Sequence, residues 1–218
     1  PDPELSEMET ELMVRLGKEL AAPAGALARL LDETGSSARE TPLGSLVADA
    51  FRAGTGADVA LVPGSSLRAP LPAGPLSMRN VVAVLPFGNR VATVELAGAD
   101  LRAVLERSLA AVGGRTGSLL QLSGMTLEAD LGAPAGRRLL AVRVADAPLR
   151  DDATYRVAVS SFLAAGGDGQ AELAAGRRLE GVEPLDADLL AEHLRRLSRG
   201  GPAEPPALGR MALAPPGG

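Results

Sequence analysis

Ser161-Phe162-Leu163-Ala164-Ala165-Gly166-Gly167-Asp168-Gly169 sets an aromatic ring beside three glycines and a carboxylate. Aromatic residues are scarce here, with three Phe, one Tyr and no Trp in 218 residues. A core made mainly of Leu, Val and Ala has little use for a Phe at the edge of glycine-rich backbone. Leu85-Pro86-Phe87-Gly88-Asn89 repeats the arrangement, so two of the three phenylalanines sit in glycine-containing loops with a polar side chain close behind. A ring beside amide or carboxylate groups suits a flat, hydrogen-bonding ligand such as a nucleobase. Locally, other readings stay open. Phe87 can be an apolar plug at a strand end with Pro86–Gly88 as a plain turn, and Phe162 can be a core residue closing a strand.

Working outward, Tyr155 to Ser160 is a strand candidate, and Gln121 to Ala129 and Leu139 to Val144 are two more. Upstream, Thr41 can cap a helix and Pro42 suits its first position. Leu43, Leu46, Val47, Ala50 and Phe51 give that helix a buried face, and Gly54 or Gly56 ends it. Asp58 to Val62 is a short apolar strand closed by Pro63-Gly64. Leu76 to Val84 contains a short helix or turn, Val91 to Leu96 alternates like a strand, and Ala99 to Val112 is a helix stopped by Gly113-Gly114. Leu185 to Leu197 is a terminal helix, followed by a Pro/Gly-rich tail from Gly200. At the other end, Leu5, Met8, Leu12, Leu16 and Leu20 form a narrow helical stripe ended by Pro23. Ala24 to Leu31 is a short helical or extended piece, and Glu33 to Arg39 is loop-like. There is no internal repeat. The pattern predicts an α+β class: a helical extension over 1–39, one mixed α/β domain over 40–212, and a tail over 213–218.

Composition excludes several classes. The formal charge of −5 argues against a polyanionic nucleic acid partner, which needs a basic face. No apolar run is long enough to span a membrane, and no secretory leader is visible. Zero cysteines remove disulfides, thiolate metal sites and cysteine nucleophiles together. The single histidine, His193, falls among Glu192, Arg195 and Arg196 and is expected to be a solvated helix residue. The acidic residues are scattered, with no pair placed as a metal cage. No nucleophile-elbow or P-loop string occurs. Gly113-Gly114-Arg115-Thr116-Gly117 is glycine-rich but follows a helix instead of opening one, the wrong order for an anion cradle. The chain is therefore expected not to hydrolyse anything unaided.

The order of motifs carries a resemblance. Thr41-Pro42-Leu43-Gly44, Val62-Pro63-Gly64-Ser65-Ser66-Leu67-Arg68, Leu85-Pro86-Phe87-Gly88-Asn89, Leu122-Ser123-Gly124 and Phe162 to Gly169 together resemble the C-terminal domain of bacterial and animal 5′-nucleotidases. The likeness runs from about Glu40 to Asp168 and continues weakly to Gly209-Arg210-Met211. It implies a substrate-specificity domain that clamps a nucleotide or nucleoside between two phenylalanines. It also implies an N-terminal metallophosphatase domain on the same polypeptide, which holds two divalent metal ions and performs the hydrolysis. No cofactor is implied in this chain itself. Phe87 and Phe162 would be the two rings. Asn89 and Asp168 would take the base edge and the ribose hydroxyls, Arg68 the ribose or phosphate side, and Gly124 would let backbone approach the base. The parent would be a phosphoric monoester hydrolase of nucleotide catabolism, periplasmic or extracellular. The chain opens within what resembles the family's interdomain helix, implying an excised fragment or a product without its catalytic half; the helical stripe could then pair two copies. Departures are visible: Ser65 and Ser66 replace glycines of the family's Asn-Gly-Gly-Gly-Ile-Arg, Glu33 to Ala38 holds no arginine, Ser160-Ser161 replaces a usual Asn-Asp pair, and Gln170 stands where an aromatic is common. A stand-alone nucleoside-binding module and a structural domain without a pocket are the alternatives.

Overall fold

Val59 to Pro63 is buried at all five positions, and the rest of the molecule packs around it. The computed structural model describes residues 3–112 and 118–215. The glycine-rich loop expected over 113–117 and the side chain of Leu5 lie outside that description. In chain order the elements are α1 (Pro3–Ala21), β1 (Pro23–Leu27), α2 (Pro42–Thr55), β2 (Val59–Pro63), β3 (Gly74–Ser77), α3 (Met78–Val84), β4 (Val91–Ala97), α4 (Gly98–Ala111), β5 (Leu120–Ser123), β6 (Met125–Asp130), β7 (Leu139–Val144), β8 (Ala147–Pro148), β9 (Thr154–Ser160), α5 (Ser161–Ala164), α6 (Ala171–Ala175), β10 (Arg177–Arg178), α7 (Asp186–Leu197) and β11 (Met211–Ala214).

The central sheet has the order β10-β4-β9-β2-β5. β2 and β9 run parallel, and the other neighbours are antiparallel. A strand covered on both faces reads as a continuous apolar run, which is why β2 is so uniformly hydrophobic. Its side chains alternate between two cores. Ala60 and Val62 pack with Leu46 and Phe51 of α2 and Leu190 of α7. Val59 and Leu61 pack on the other face with Leu101, Leu105 and Leu109 of α4. The start and stop of α2 follow from local chemistry. The Thr41 hydroxyl accepts from the Gly44 N–H, and Gly56 closes the helix in the left-handed conformation at φ 67°.

Three expectations change. Gln121 to Ala129 is not one strand. β5 belongs to the central sheet and β6 to a second sheet of order β11-β6-β7-β8. The chain changes sheet at Gly124, whose φ of +78° only glycine adopts freely. The tail is not merely irregular either. β11 lies parallel to β6, with Met211 opposite Leu127. Proline and glycine on either side hid this short strand from a reading of composition. Finally, packing does not break at residue 39. Ala24, Leu27 and Leu31 belong to the α2–α7 core, and β1 pairs with β3. Only α1 stands apart, touching α3 and leaving Met8, Leu12, Met13, Val14 and Leu16 exposed.

Candidate functional site

The two glycine-flanked phenylalanines arrive at the same end of the central sheet. Phe87 precedes β4, Phe162 follows β9, and these strands are antiparallel neighbours with Val91 opposite Ser160. The loops are laced directly. The Ser161 N–H donates to the Arg90 carbonyl at 2.7 Å, and the Arg90 N–H donates to the Ser161 hydroxyl at 3.3 Å. Both rings face solvent, Phe87 at 61% and Phe162 at 47% exposure, whereas Phe51 is the core phenylalanine at 1%. Two large exposed rings on hydrogen-bonded loops at one end of a sheet mark a candidate binding surface.

The backbone around Phe162 explains its glycines. A Cβ at Gly167 would come within 2.5 Å of the Phe162 ring, so the ring rests on a residue that must lack a side chain. Gly166 and Gly169 have φ of +88° and +74°. Asp168 between them is an exposed non-glycine at φ +54°, a conformation that Asp tolerates but few residues choose. The turn thus leaves a carboxylate exposed to solvent six residues after the ring.

Asn89 is half-buried. Its carbonyl accepts from the Asp186 N–H at 2.9 Å, and its Oδ1 accepts from the Ser161 hydroxyl at 3.5 Å, the outer limit of such a bond. Asp186 opens α7 just behind this loop and is 2% exposed. Burial pushes its carboxyl up to about 6, against a hydrogen bond from the Ala187 N–H at 2.8 Å. Asp186 was not singled out from sequence. It looked like an ordinary acidic residue in a first helical turn, and only the tertiary arrangement buries it.

Arg68 is exposed at the same end. Its N–H donates to the Val84 carbonyl at 3.0 Å, three residues before Phe87, and its guanidinium donates only weakly, at 3.4 Å, to the Ser65 carbonyl. Gly64 before it packs against the Ser36 carbonyl so closely that no Cβ fits. Ser65 donates its N–H to the Ser118 hydroxyl at 2.9 Å. Arg39 is folded back on its own turn, donating to the Thr34 carbonyl at 3.1 Å.

Gly124 does not join this group. Ala60 pairs with Ser123 and Pro63 with Leu120, so Gly124 lies level with the start of β2, at the opposite end of the sheet. Four residues of strand separate the two ends, roughly 13 Å. Its missing Cβ makes room for the Asp58 carbonyl and the Arg52 side chain, a requirement of the fold. His193 also differs from expectation. It is 9% exposed, with Nδ1 2.7 Å from the Arg196 guanidinium, and burial and that cation lower its pKa while Asp49 opposes them. It faces a groove of about 610 Å³ shared with Asp49, Arg52 and Leu197. That groove is lined by the His193 imidazole and by no Phe or Tyr.

Among the described residues, no group of three or more His, Asp or Glu side chains is placed to hold a metal ion. The pair of divalent ions implied for the family has no fitting ligand set here, and no step of hydrolysis is routed through this chain. Among the described residues, no helix is long and apolar enough to cross a membrane.

The comparisons agree with this architecture. A family model described as 5′-nucleotidase, C-terminal domain, matches residues 21–175. A trifunctional nucleotide phosphoesterase protein of Bacillus subtilis is 31% identical over 183 residues, covering 79% of this chain and 12% of the relative. A snake venom 5′-nucleotidase of Naja atra is 32% identical over 155 residues, covering 66% of this chain and 29% of the relative. The crystal structure of a 5′-nucleotidase precursor from Thermus thermophilus superposes with a TM-score of 0.84 at 30% identity, over 96% of this chain and 43% of that one. The chain thus spans less than half the length of these relatives.

Proposed function

Because this chain belongs to the 5′-nucleotidase C-terminal domain family, we propose that it is the nucleotide-binding and specificity domain of a 5′-nucleotidase-type phosphohydrolase. The observation that carries this reading is the pair of exposed rings, Phe87 and Phe162, on loops hydrogen-bonded to each other at one end of the sheet. A nucleobase inserted between them covers both rings, and stacking on an aromatic side chain contributes roughly 1–3 kcal/mol per base. Stacking is nearly blind to base identity, so the polar groups around the slot supply discrimination. Asn89 offers an amide to the base edge. Asp168, held outward by its left-handed backbone, accepts from the ribose hydroxyls. Arg68 guards the ribose or phosphate side with a guanidinium that, among the described residues, makes one weak bond, to the Ser65 carbonyl. Gly124 has no part in this site.

Hydrolysis lies with an N-terminal metallophosphatase domain on the same polypeptide, holding two divalent ions. Support comes from the relatives, of whose length the match covers 12% and 29%. The apolar side chains exposed on α1 are the surface that such a domain would cover. The setting is periplasmic or extracellular, a reading supported by the relatives named as snake venom 5′-nucleotidases.

Calorimetric titration of the chain with adenosine, AMP and UMP tests the assignment. All three are expected to bind, and Phe87→Ala and Phe162→Ala are each expected to weaken binding by about 5- to 150-fold, the equivalent of one stacking face. Affinity unchanged by both substitutions would sink it.

A further inference from the structure

The end of the central sheet away from the aromatic loops holds a second hollow. The groove of about 610 Å³ at His193 adjoins a cleft of about 340 Å³, and Asp49, Arg52 and Ser123 line both. The cleft adds Arg143, Arg210 and the turn at Ala145 and Asp146. Three arginines therefore border one small space in a molecule whose formal charge is −5.

The three are not equivalent. Arg210 is consumed by the fold. It donates to the two Asp49 oxygens at 2.9 and 2.7 Å and to the Leu122 carbonyl at 2.6 Å, while the Ser123 hydroxyl donates to Asp49 Oδ1 at 2.6 Å. That pair cancels in charge and leaves a neutral floor. Arg52 and Arg143 are exposed. Arg52 donates from Nε to the Asp58 carbonyl at 3.1 Å, and among the described residues its terminal NH2 groups have no hydrogen-bond partner. Arg143 donates to the Asp146 carbonyl and forms no ion pair among the described residues. A guanidinium anchored through a neutral carbonyl keeps its charge and its other N–H groups for an anion.

The backbone sets both cations. Ala145 and Asp146 have φ of 46° and 65°, the left-handed pair that a two-residue hairpin turn requires, with Val144 opposite Ala147. The Ala145 N–H donates to the Gly124 carbonyl at 3.2 Å. This pins the turn that carries Arg143 to the glycine whose missing Cβ admits the Arg52 side chain. The opposing charge is Asp146, exposed on the turn, so Arg52 and Arg143 leave the cleft net positive. The adjoining groove is apolar in comparison, with Ala53, Ala57, Leu197 and Pro206 in its wall. Its Glu204 is paired with Arg29 at 3.4 Å. Its His193 adds no charge: Nδ1 lies 2.7 Å from the Arg196 guanidinium, which can only donate, and burial and that cation lower the imidazole pKa.

We propose that this trough is a second ligand site, separate from the base site, for a small organic anion: a carboxylate or phosphate head held by Arg52 and Arg143, with an aliphatic tail along Ala53, Ala57, Leu197 and Pro206. Paired guanidinium N–H groups match the oxygens of either head, and the tail covers apolar surface that is otherwise wet.

Titration of the 218-residue chain, read by calorimetry and backbone amide shifts, tests this with hexanoate and hexyl phosphate against acetate, inorganic phosphate and 1-hexanol. The tailed anions are expected to bind with a Kd of about 1 mM or lower, at least about tenfold tighter than acetate or phosphate, and to shift the amides of Ala57, Gly124 and Ala145. The tighter of the two identifies the head. Arg143→Ala should weaken binding about tenfold. Arg52 fills space beside Gly124, so its removal risks the fold; Asp146→Asn supplies the second variant instead. Asn tolerates the left-handed backbone, and loss of the opposing charge should tighten binding by about 1.5- to 5-fold, which a folding defect would not do. No binding of either tailed anion, hexanol binding as tightly as hexanoate, no gain from the tail, or affinity indifferent to either substitution overturns the proposal. Saturating adenosine, Phe87→Ala and Phe162→Ala should each leave hexanoate affinity unchanged, and competition by adenosine would place the anion at the base site and overturn it. Adenosine that fails to bind while hexanoate binds is failure of the base-site reading alone.

Discussion

Asp186 exerts a cost on the folded state. A carboxyl raised to about 6 in the folded protein binds its proton more tightly there than in the unfolded chain, where the ordinary value is 3.8. The stability it contributes is therefore complete below the unfolded value and is lost as pH rises through about 6. The carboxyls that are held down work in a different window. Burial alone would raise Asp58, but hydrogen bonds and charge from Arg156 bring it down, the Thr34 backbone N–H lowers Asp32, and the Arg178 side chain lowers Glu183. Their contributions are present above the ordinary carboxylate range and vanish only in stronger acid. Between pH 5 and pH 7.5, then, Asp186 dominates among the shifted carboxyls, and the natural chain should gain about 1 kcal/mol toward pH 5 that Asp186→Asn does not share. Denaturant melts of both proteins at the two pH values measure this, and parallel behaviour would contradict the burial assigned to Asp186. Sequence singled out Phe87 and Phe162 as candidates because a rare residue type stood beside glycines. It could not reveal Asp186 or the burial of His193, because desolvation is a property of packing and leaves no local mark.

At the scale of elements, most boundaries were legible because they rest on local chemistry: the Thr41 cap, the left-handed Gly56, and the alternation of β4. What escaped were associations made over long separations. Glu40 shows the pattern. Its Oε2 accepts from the N–H groups of Gly209 at 2.9 Å, Arg210 at 3.0 Å and Met211 at 3.2 Å, some 170 positions away. The Arg210 guanidinium then reaches Asp49 at 2.7 Å and the Leu122 carbonyl at 2.6 Å. One buried carboxylate thereby seats β11 against β6. Gln121 performs a similar role for the turn before α2, donating to the carbonyls of Ser36 and Arg39 at 2.6 and 2.8 Å and accepting from the Thr41 N–H at 3.0 Å. Nothing in Glu40 or Gln121 as isolated letters announces these partners. Removing the carboxylate in Glu40→Ala strands three N–H groups and is expected to cost about 3 kcal/mol. The loss should begin at β11, so hydrogen exchange at Met211 to Ala214 should quicken well before exchange in β2. Uniform protection in the variant would show that β11 is held by side-chain packing instead.

Over the whole molecule, the two ends of the central sheet are built for different ends. One end gathers the aromatic loops, Asp168, Asn89 and Arg68, while the other spends its glycine and arginine on joining two sheets and anchoring the C-terminal strand. The sequence order of the motifs could be read, but not the end of the sheet at which each one emerges, and that is how Gly124 was misplaced. Topology also bears on chemistry. Two-metal hydrolysis needs a clamp of ligands holding two ions roughly 4 Å apart around the reacting phosphoryl group. The single histidine is buried beside Arg196 on α7, remote in function from the aromatic loops, and no group of three candidate ligands converges among the described residues. Supplying magnesium, manganese, cobalt or zinc should therefore add nothing to the chain's action on AMP. The expected outcome is nucleoside binding in calorimetry together with phosphate release from AMP no faster than in buffer. Steady turnover that copurifies with the chain and disappears on chelation would place the catalytic centre within these residues and end the assignment of hydrolysis to another domain.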